Sequence, residues 1–330
     1  MLTGPVPRPR VSFGISFPNF SLETSAKIAS EAERLKMDSV WVNDDLVGVF
    51  QRETFDAILC MAEMAHATRR VRVGSAVIAT YRRHPVTTAF SLITLDHLSR
   101  GRLIAGLGSC CPSDEWGFPG KSEEVAERFF EFISALKKLA SGSATEFHGK
   151  YFTLHTPELP VKPRQKPHPP IWAAANLDRT IREVARVADG WLPICVPPRI
   201  YSEELQILRE SASEAGRPSR DIVAGCMVFA VMGRKRESAL AKAMPLLAQT
   251  ALWFNSARTR KMGVGVFRSP SEVNPDVVRE LSIVGSVEDA AQRIGEYLDA
   301  GVEHLVLQPL PVDEIRASLP RIADAIRQAA

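Results

Sequence analysis

The chain alternates eight times between a short apolar segment and a longer segment whose apolar residues have helical spacing. The short segments are rich in β-branched residues, as buried strands are, and the long segments have the periodicity of amphipathic helices. Connections of a few residues favour parallel strands joined by right-handed crossovers. The predicted strands cover residues 11–17, 39–42, 71–79, 102–107, 170–174, 190–194, 221–232 and 304–308. This order predicts an α/β fold, a closed (β/α)8 TIM barrel, with an open doubly wound sheet as the alternative.

Two stretches interrupt the alternation and are interpreted as insertions. Residues 145–169 hold five prolines and a hairpin-like segment at 147–152. They follow strand four and its helix, and we interpret them as an insertion or lid at the barrel top. The irregular residues 256–281 form a second insertion, between strands seven and eight. Because no repeat or linker divides the chain, the sequence predicts a single domain over residues 1–330, with 1–10 as a disordered or extended N-terminal arm.

Charge and composition argue against several classes of function. The 330 residues carry a formal net charge of +3 and their basic residues are dispersed, which argues against nucleic acid as a partner. No apolar run reaches about 18 residues and the N-terminus has no apolar signal region, so no membrane association or secretion is predicted. The five cysteines are odd in number and lack metal-finger spacing, which favours reduced thiols and a cytoplasmic location.

Two adjacent carboxylates, Asp44 and Asp45, directly follow the second predicted strand. Active sites of TIM barrels lie at the carboxyl ends of the strands, so this pair is the best acid/base candidate. Neighbouring carboxylates that are partly buried can shift each other's pKa. A helix N-cap or a surface turn is the alternative interpretation. Glu115, in the loop after strand four, is a third candidate for a catalytic acid, with a solvated loop residue as its alternative.

Small residues end the fourth strand. Gly106 and Gly108, followed by Ser109, would let a large flat ring approach the backbone closely. The sequence has no Walker loop and no G-x-S-x-G elbow, and no two histidines lie close together along it. We therefore expect no metal site, and we expect the reactivity to come from an organic cofactor.

Small residues also end the fifth strand, where Ala174, Ala175 and Asn176 precede a helix. Backbone N–H groups at a helix N-terminus suit a phosphate, and Thr180 would add a donor. This loop is therefore a second candidate for cofactor binding. Ordinary small-residue packing at a strand–helix turn is the alternative.

Several short motifs occur in a characteristic order along nearly the whole chain. They lie at residues 38–42, 83–85, 94–102, 106–108, 168–172, 188–191 and 284–286. Together they resemble the luciferase-like monooxygenase superfamily, which contains FMN-dependent monooxygenases and oxidoreductases that use the deazaflavin coenzyme F420. Each motif alone is weak, and their order and spacing carry the resemblance.

The resemblance implies a barrel with a ring cofactor across the strand ends, its phosphate end near the loops after strands four and five. It also implies a non-prolyl cis peptide behind the ring. The matching segment contains Ser75, Ala76 and Val77, and Ala76–Val77 is the expected bond. A small-molecule substrate and a homodimer formed through barrel helices are further implications.

One departure from the family pattern concerns the acid. F420-dependent members often carry Asp-His after strand two, whereas this chain carries Asp44-Asp45. Histidine donates a proton near neutral pH, and aspartate does so only if its pKa is raised. Our first hypothesis is hydride transfer between F420 and a small organic substrate, with Asp44, Asp45 or Glu115 moving the proton. The alternatives are an FMN-dependent monooxygenase served by a separate flavin reductase, and a flavin-binding barrel without catalysis.

Overall fold

The computed structural model describes residues 11–46, 53–109, 124–253, 259, 261–264 and 266–330. Within these residues, parallel strands close into an eight-membered barrel surrounded by helices, which confirms the predicted (β/α)8 fold. The N-terminal arm predicted at residues 1–10 and the candidate acid Glu115 lie outside the described residues.

Twelve strands lie in the described part of the chain. They are β1 (Ser12–Phe17), β2 (Ser39–Val42), β3 (Arg72–Ser75), β4 (Ile78–Ala79), β5 (Leu103–Gly108), β6 (Thr145–His148), β7 (Thr153–Thr156), β8 (Ile171–Ala173), β9 (Gly190–Trp191), β10 (Val223–Met232), β11 (Ser282–Gly285) and β12 (His304–Pro309). The barrel runs β1, β2, β3 with its continuation β4, β5, β8, β9, β10 and β12. Parallel pairing of β12 with β1 closes the circle.

Ten α-helices are described. They are α1 (Leu22–Arg34), α2 (Ala57–Ala67), α3 (Pro85–Leu98), α4 (Glu124–Ala140), α5 (Asp178–Val187), α6 (Pro198–Glu214), α7 (Arg236–Trp253), α8 (Pro275–Leu281), α9 (Val287–Asp299) and α10 (Ile315–Ala329). Helix α9 begins with a capping box, in which the Asp289 N–H donates to Ser286 Oγ at 3.3 Å and the Ser286 N–H donates to Asp289 Oδ2 at 3.0 Å. Of the helices in the described ranges, none combines the length and apolarity needed to cross a membrane.

The insertion between strands seven and eight is more regular than predicted. Residues 256–281 were expected to be irregular, but 275–281 form α8, and β11 follows at once. Strand β11 pairs in parallel with the end of β10, from Phe229 opposite Ser282 to Met232 opposite Gly285. Strand β10 therefore extends beyond the barrel and carries a ninth parallel strand outside it.

The insertion after strand four contains the expected hairpin, β6–β7, and the ring of Phe152 in its turn lies 6.0 Å from the ring of His84, which caps the start of α3. The backbone N–H groups of Arg164 and Gln165 donate to Asp96 Oδ2 at 2.6 and 2.9 Å, near the C-terminal end of α3. Gln165 Nε2 also donates to the carbonyl of Leu103, the first residue of β5. Because these partners lie where β5 begins, residues 164–165 lie at the end of the barrel opposite the carboxyl ends of the strands, whereas the hairpin turn reaches the loop after β4. The role of the insertion as a lid stays a prediction.

Two tryptophans and a histidine fill the lower barrel interior. The rings of Trp41 and Trp172 lie 5.3 Å apart, and the ring of His304 lies edge-on to both. Space for Trp41 depends on Gly74 in the neighbouring strand, where a Cβ atom would lie 2.3 Å from the indole ring. The interior at the level of these rings is therefore a packed core, as in other TIM barrels.

His304 is a buried, neutral histidine at the barrel floor. Trp41 Nε1 donates to Ser39 Oγ at 2.7 Å, and Ser39 Oγ and His304 Nε2 share a hydrogen bond, also of 2.7 Å. Burial, helped by the positive charge of Arg72, lowers the pKa of His304 to about 3. Both causes disfavour the imidazolium form.

We expect His304 to make the fold sensitive to acid. Between pH 6.5 and about 3 the unfolded chain binds a proton at this histidine and the folded chain does not. The free energy of unfolding therefore falls with falling pH, by up to about 1.4 kcal/mol per pH unit. Urea unfolding between pH 7 and 4.5 should show this slope in the wild type and His148→Gln, an exposed control, and a shallower slope in His304→Gln. Equal slopes in all three proteins would contradict the assignment.

Candidate functional site

Small residues on three neighbouring strands form one wall of the barrel mouth. Side chains alternate along a strand, so every second residue faces the barrel axis. After β3, Ala76 lies above the inward-facing Gly74. On β5, Gly106 and Gly108 lie above Ile104, and after β8, Ala174 lies above Trp172. The peptide bond between Ala76 and Val77 is cis, which confirms the expected bond, and it lies between β3 and β4. We call this surface the small-residue wall. It offers backbone and methyl groups, and a flat ring fits such a surface.

Ser75 and Gly106 join strands β3 and β5 beneath this wall. Ser75 Oγ donates to the Gly106 carbonyl at 2.8 Å and accepts the Gly106 N–H at 3.1 Å. A Cβ atom on Gly106 would lie 1.9 Å from the Ser75 carbonyl oxygen. Glycine is therefore required here by strand packing, a reason that the sequence interpretation did not include. A side-chain hydrogen bond also fixes the backbone at Gly108, whose carbonyl accepts the Thr80 hydroxyl at 3.0 Å. The next residue, Ser109, is half-buried.

Hydrogen bonds to neighbouring strands and to the segment after β9 fix the position of the loop after β8. The Ala174 N–H donates to the Leu107 carbonyl, and the Ala175 carbonyl accepts Trp191 Nε1, both at 2.9 Å. Asn176 Oδ1 accepts the Ile194 N–H at 3.2 Å.

Thr180, predicted as a phosphate donor, lies in the first turn of α5. Its hydroxyl donates to the Leu177 carbonyl at 2.8 Å and accepts the Leu177 N–H, so it caps its own helix. Together with the loop after β8, this first turn forms a rigid edge to the small-residue wall.

Asp44 is buried within an ion-pair network. Its Oδ2 lies 2.7 Å from Arg82 Nη2 and 3.1 Å from Arg83 Nη2, and it accepts the Ala79 N–H at 3.0 Å. Both arginines belong to the turn that follows β4. Asp44 therefore ties the end of β2 to the end of β4, and its charge is balanced by two cations. This environment suits a positioning role better than proton transfer.

Asp45 has a different environment. It is half-buried, and Asn43 Nδ2 donates to its Oδ2 at 3.3 Å. Burial raises the pKa of the Asp45 carboxyl, and the charge of Asp44 raises it further, against the opposing effects of Asn43 and Arg82. A carboxyl with a raised pKa exchanges protons closer to neutral pH than ordinary aspartate does. Asp45 is thus the better of the two carboxylates for acid/base work.

Three further polar residues lie at the mouth: Asn43 and Gln308, strand-end positions to which the sequence assigned no role, and Ser16, which it did not single out. Ser16, Asn43 and Gln308 lie on the adjacent strands β1 and β12 and at the end of β2. Ser16 Oγ donates to Asn43 Oδ1 at 3.4 Å, and Asn43 in turn contacts Asp45. We call Ser16, Asn43, Asp45 and Gln308 together the polar wall. Two-residue alternation along strands one and eight was the available signal, since it places Ser16 and Gln308 on the inward face.

Metal chemistry finds no support in the described ranges, where no group of three or more His, Cys, Asp or Glu side chains could hold a metal ion. The described cysteines, Cys60, Cys195 and Cys226, are buried. The mouth thus combines a surface of small residues with a polar wall that contains Asp45, a half-buried carboxyl whose pKa is raised. These residues fit a bound planar organic group.

Comparison with known proteins agrees with this description. A sequence model of the luciferase-like monooxygenase family matches residues 7–304. The chain is 25% identical over 335 residues to the phthiodiolone/phenolphthiodiolone dimycocerosates ketoreductase of Mycobacterium kansasii, covering 86% of this chain and 91% of the relative. It is 28% identical over 310 residues to the F420-dependent glucose-6-phosphate dehydrogenase of Amycolatopsis mediterranei (strain U-32), covering 90% and 91%.

The fold also matches a solved structure. The coenzyme F420-dependent tetrahydromethanopterin reductase from Methanopyrus kandleri superimposes with a TM-score of 0.87 at 20% identity. The match covers 98% of this chain and 100% of that chain. At this identity the similarity shows a shared fold.

Proposed function

Because this chain belongs to the luciferase-like monooxygenase family, we propose that it is an oxidoreductase that binds F420 and transfers a hydride between F420 and a small ketone or secondary alcohol. The observation that carries the proposal is the pairing of a small-residue wall with Asp45, a half-buried carboxyl whose pKa is raised. The F420-dependent dehydrogenase among the relatives supports the cofactor, and the ketoreductase supports the substrate class.

Each wall of the mouth has its own part in the proposed reaction. The small-residue wall, including Ala76, Val77, Gly106 and Gly108, supports the flat face of the ring. The loop that contains Ala174 lies at the edge where the phosphate end is expected. When bound, F420 supplies the group that gives or receives the hydride.

Asp45 exchanges the proton that accompanies the hydride. In ketone reduction its protonated carboxyl donates to the developing alkoxide oxygen, and in alcohol oxidation the carboxylate removes the hydroxyl proton. Asp44 contributes by fixing the backbone of β2 against the turn after β4. The histidine common in related enzymes is thereby replaced by an aspartate whose pKa is raised by burial.

Equilibrium titration of the purified protein with F420 and with FMN tests the cofactor. We expect F420 to bind with a Kd in the micromolar range or below and FMN to bind at least tenfold more weakly. A panel of acetone, cyclohexanone and acetophenone with reduced F420 then tests hydride transfer. Tight FMN binding without F420 binding would contradict the proposal and favour a two-component monooxygenase supplied by a separate flavin reductase. F420 binding without turnover of any ketone would contradict the substrate class.

We also propose that the protein forms a homodimer through the outer faces of α2 and α3. Phe90 and Leu98 lie two turns apart on α3 and are 54% and 53% exposed, and Leu59 on the adjacent α2 is 59% exposed. Large apolar side chains exposed together are typical of interaction surfaces. Light scattering on the purified protein should give the mass of two chains, and a mass of one chain would contradict the proposal.

A further inference from the structure

Gln308 carries a buried amide group with no partner in the described part of the chain. Its residue exposure is 0%, and neither Oε1 nor Nε2 makes a hydrogen bond there. His304 and Val306, on the same face of β12, contact the tryptophans inside the barrel, whereas Leu305 and Leu307 pack outward under the helices. Gln308 is therefore the uppermost inward residue of β12, at the level of the mouth.

The residues beside Gln308 on the two neighbouring strands do not provide hydrogen-bond partners for its amide group. Phe229 lies directly across from it on β10 and offers only an aromatic ring. On the other side, the register of β1 with β12 places Ser16 beside Gln308, but the Ser16 hydroxyl donates to Asn43. Burying an amide without hydrogen bonds costs stability, and an apolar side chain of similar size would avoid that cost. An amide kept at this position points to a ligand that completes its hydrogen bonds.

We propose that the Gln308 amide binds the oxygen of the substrate's reacting carbonyl or hydroxyl group, and so determines specificity for neutral ketones and alcohols. The proposal rests on the proposed function. Gln308, on β12, belongs to the polar wall together with Asp45, which follows β2, the strand next to the one that leads into the Ala76–Val77 peptide. A substrate at the mouth with its oxygen against the polar wall would contact the Gln308 amide.

The chemistry of the amide fits both directions of the reaction. Nε2 donates to a ketone oxygen, and Oε1 accepts from an alcohol hydroxyl. The amide is uncharged, and the charge of Asp44, which follows β2, is already balanced by Arg82 and Arg83. A site that hydrogen-bonds an oxygen in this way discriminates strongly against analogues that lack it.

The first test uses the protein without ligands. Gln308→Met removes the amide at nearly constant size, and we expect its thermal unfolding midpoint to rise above that of the wild type. Gln165→Met is the matched control, because the Gln165 amide donates to Asp96 and to the Leu103 carbonyl, and its midpoint should fall. A lower midpoint for Gln308→Met would show that the amide has a structural role and would overturn the proposal.

The second test uses the F420-loaded enzyme and the same three ketones. We expect Gln308→Met to raise KM at least tenfold, to change kcat less than KM, and to leave the Kd for F420 within about twofold. An unchanged KM, or a tenfold change in the Kd for F420, would overturn the inference and leave the proposed function standing. If the wild type does not bind F420, the proposed function itself fails. Absence of turnover of every ketone would overturn the substrate class on which the inference depends.

Discussion

Replacing Asp45 with asparagine is expected to lower kcat/KM for ketone reduction by about 10²–10⁴-fold, the range that positioned proton transfer contributes. Asparagine keeps the size of the side chain and an oxygen that accepts from Asn43 Nδ2, so the fold should be retained. Steady-state kinetics with reduced F420 measure kcat/KM, and urea unfolding measures the stability of the variant. Asp221→Asn, on an exposed turn, is the matched carboxyl-to-amide control and should retain activity.

The pH dependence of the reaction should identify Asp45 as the acid. Ketone reduction needs its protonated form, so the rate should fall as pH rises through the raised pKa, and alcohol oxidation should show the opposite trend. Asp45→His introduces the side chain common in related enzymes and should retain activity. The rate of ketone reduction by this variant should fall as the pH rises through about 6.5, the ordinary pKa of histidine. If Asp45→Asn retained the activity and pH profile of the wild type, another group would be the acid.

Replacing the neighbouring Asp44 with asparagine is expected to reduce stability by about 3 kcal/mol, because it leaves two largely buried guanidinium groups without their shared carboxylate. Urea unfolding at pH 7 measures the loss. Asp324→Asn is the control, since it removes a carboxylate from an exposed ion pair with Arg327 and should change the free energy of unfolding by less than about 0.5 kcal/mol.

The two adjacent substitutions together separate positioning from chemistry. Asp45→Asn should lose activity and keep stability, and Asp44→Asn should lose stability. Activity of Asp44→Asn measured well below its unfolding temperature should fall far less than that of Asp45→Asn. The reverse pattern would assign the proton transfer to Asp44 and the positioning role to Asp45.

Much of the barrel was predictable because each strand is a short buried run with a clear end. The second strand, Ser39–Val42, was predicted with its observed bounds, and the eighth extends one residue further than predicted. Strand β11 was missed because four residues, Ser-Ile-Val-Gly, carry too little periodicity to be separated from the helix before them. Its stability depends on pairing with the end of β10, a contact between residues about 50 positions apart.

The candidate site was predictable only in part, because its residues meet through register rather than through sequence motifs. The Asp44-Asp45 pair was visible as a motif, but the assignment of one carboxylate to an ion pair depends on arginines about 40 residues away. Gln308 can be recognised as a candidate site residue only in the structure, where β1 and β10 lie beside it and its amide has no hydrogen-bond partner in the described part of the chain. The predicted roles of Ser109, Ala175 and Asn176 toward the cofactor remain predictions.

The most direct test of the proposed site is a crystal structure of the protein with bound F420. We expect the deazaflavin ring to lie at the carboxyl ends of the strands with one face on the Ala76–Val77 peptide, and with Asp45 and Gln308 beyond its other face. A ring bound away from the mouth, or a mouth filled by side chains that leave no space for a ring, would contradict it.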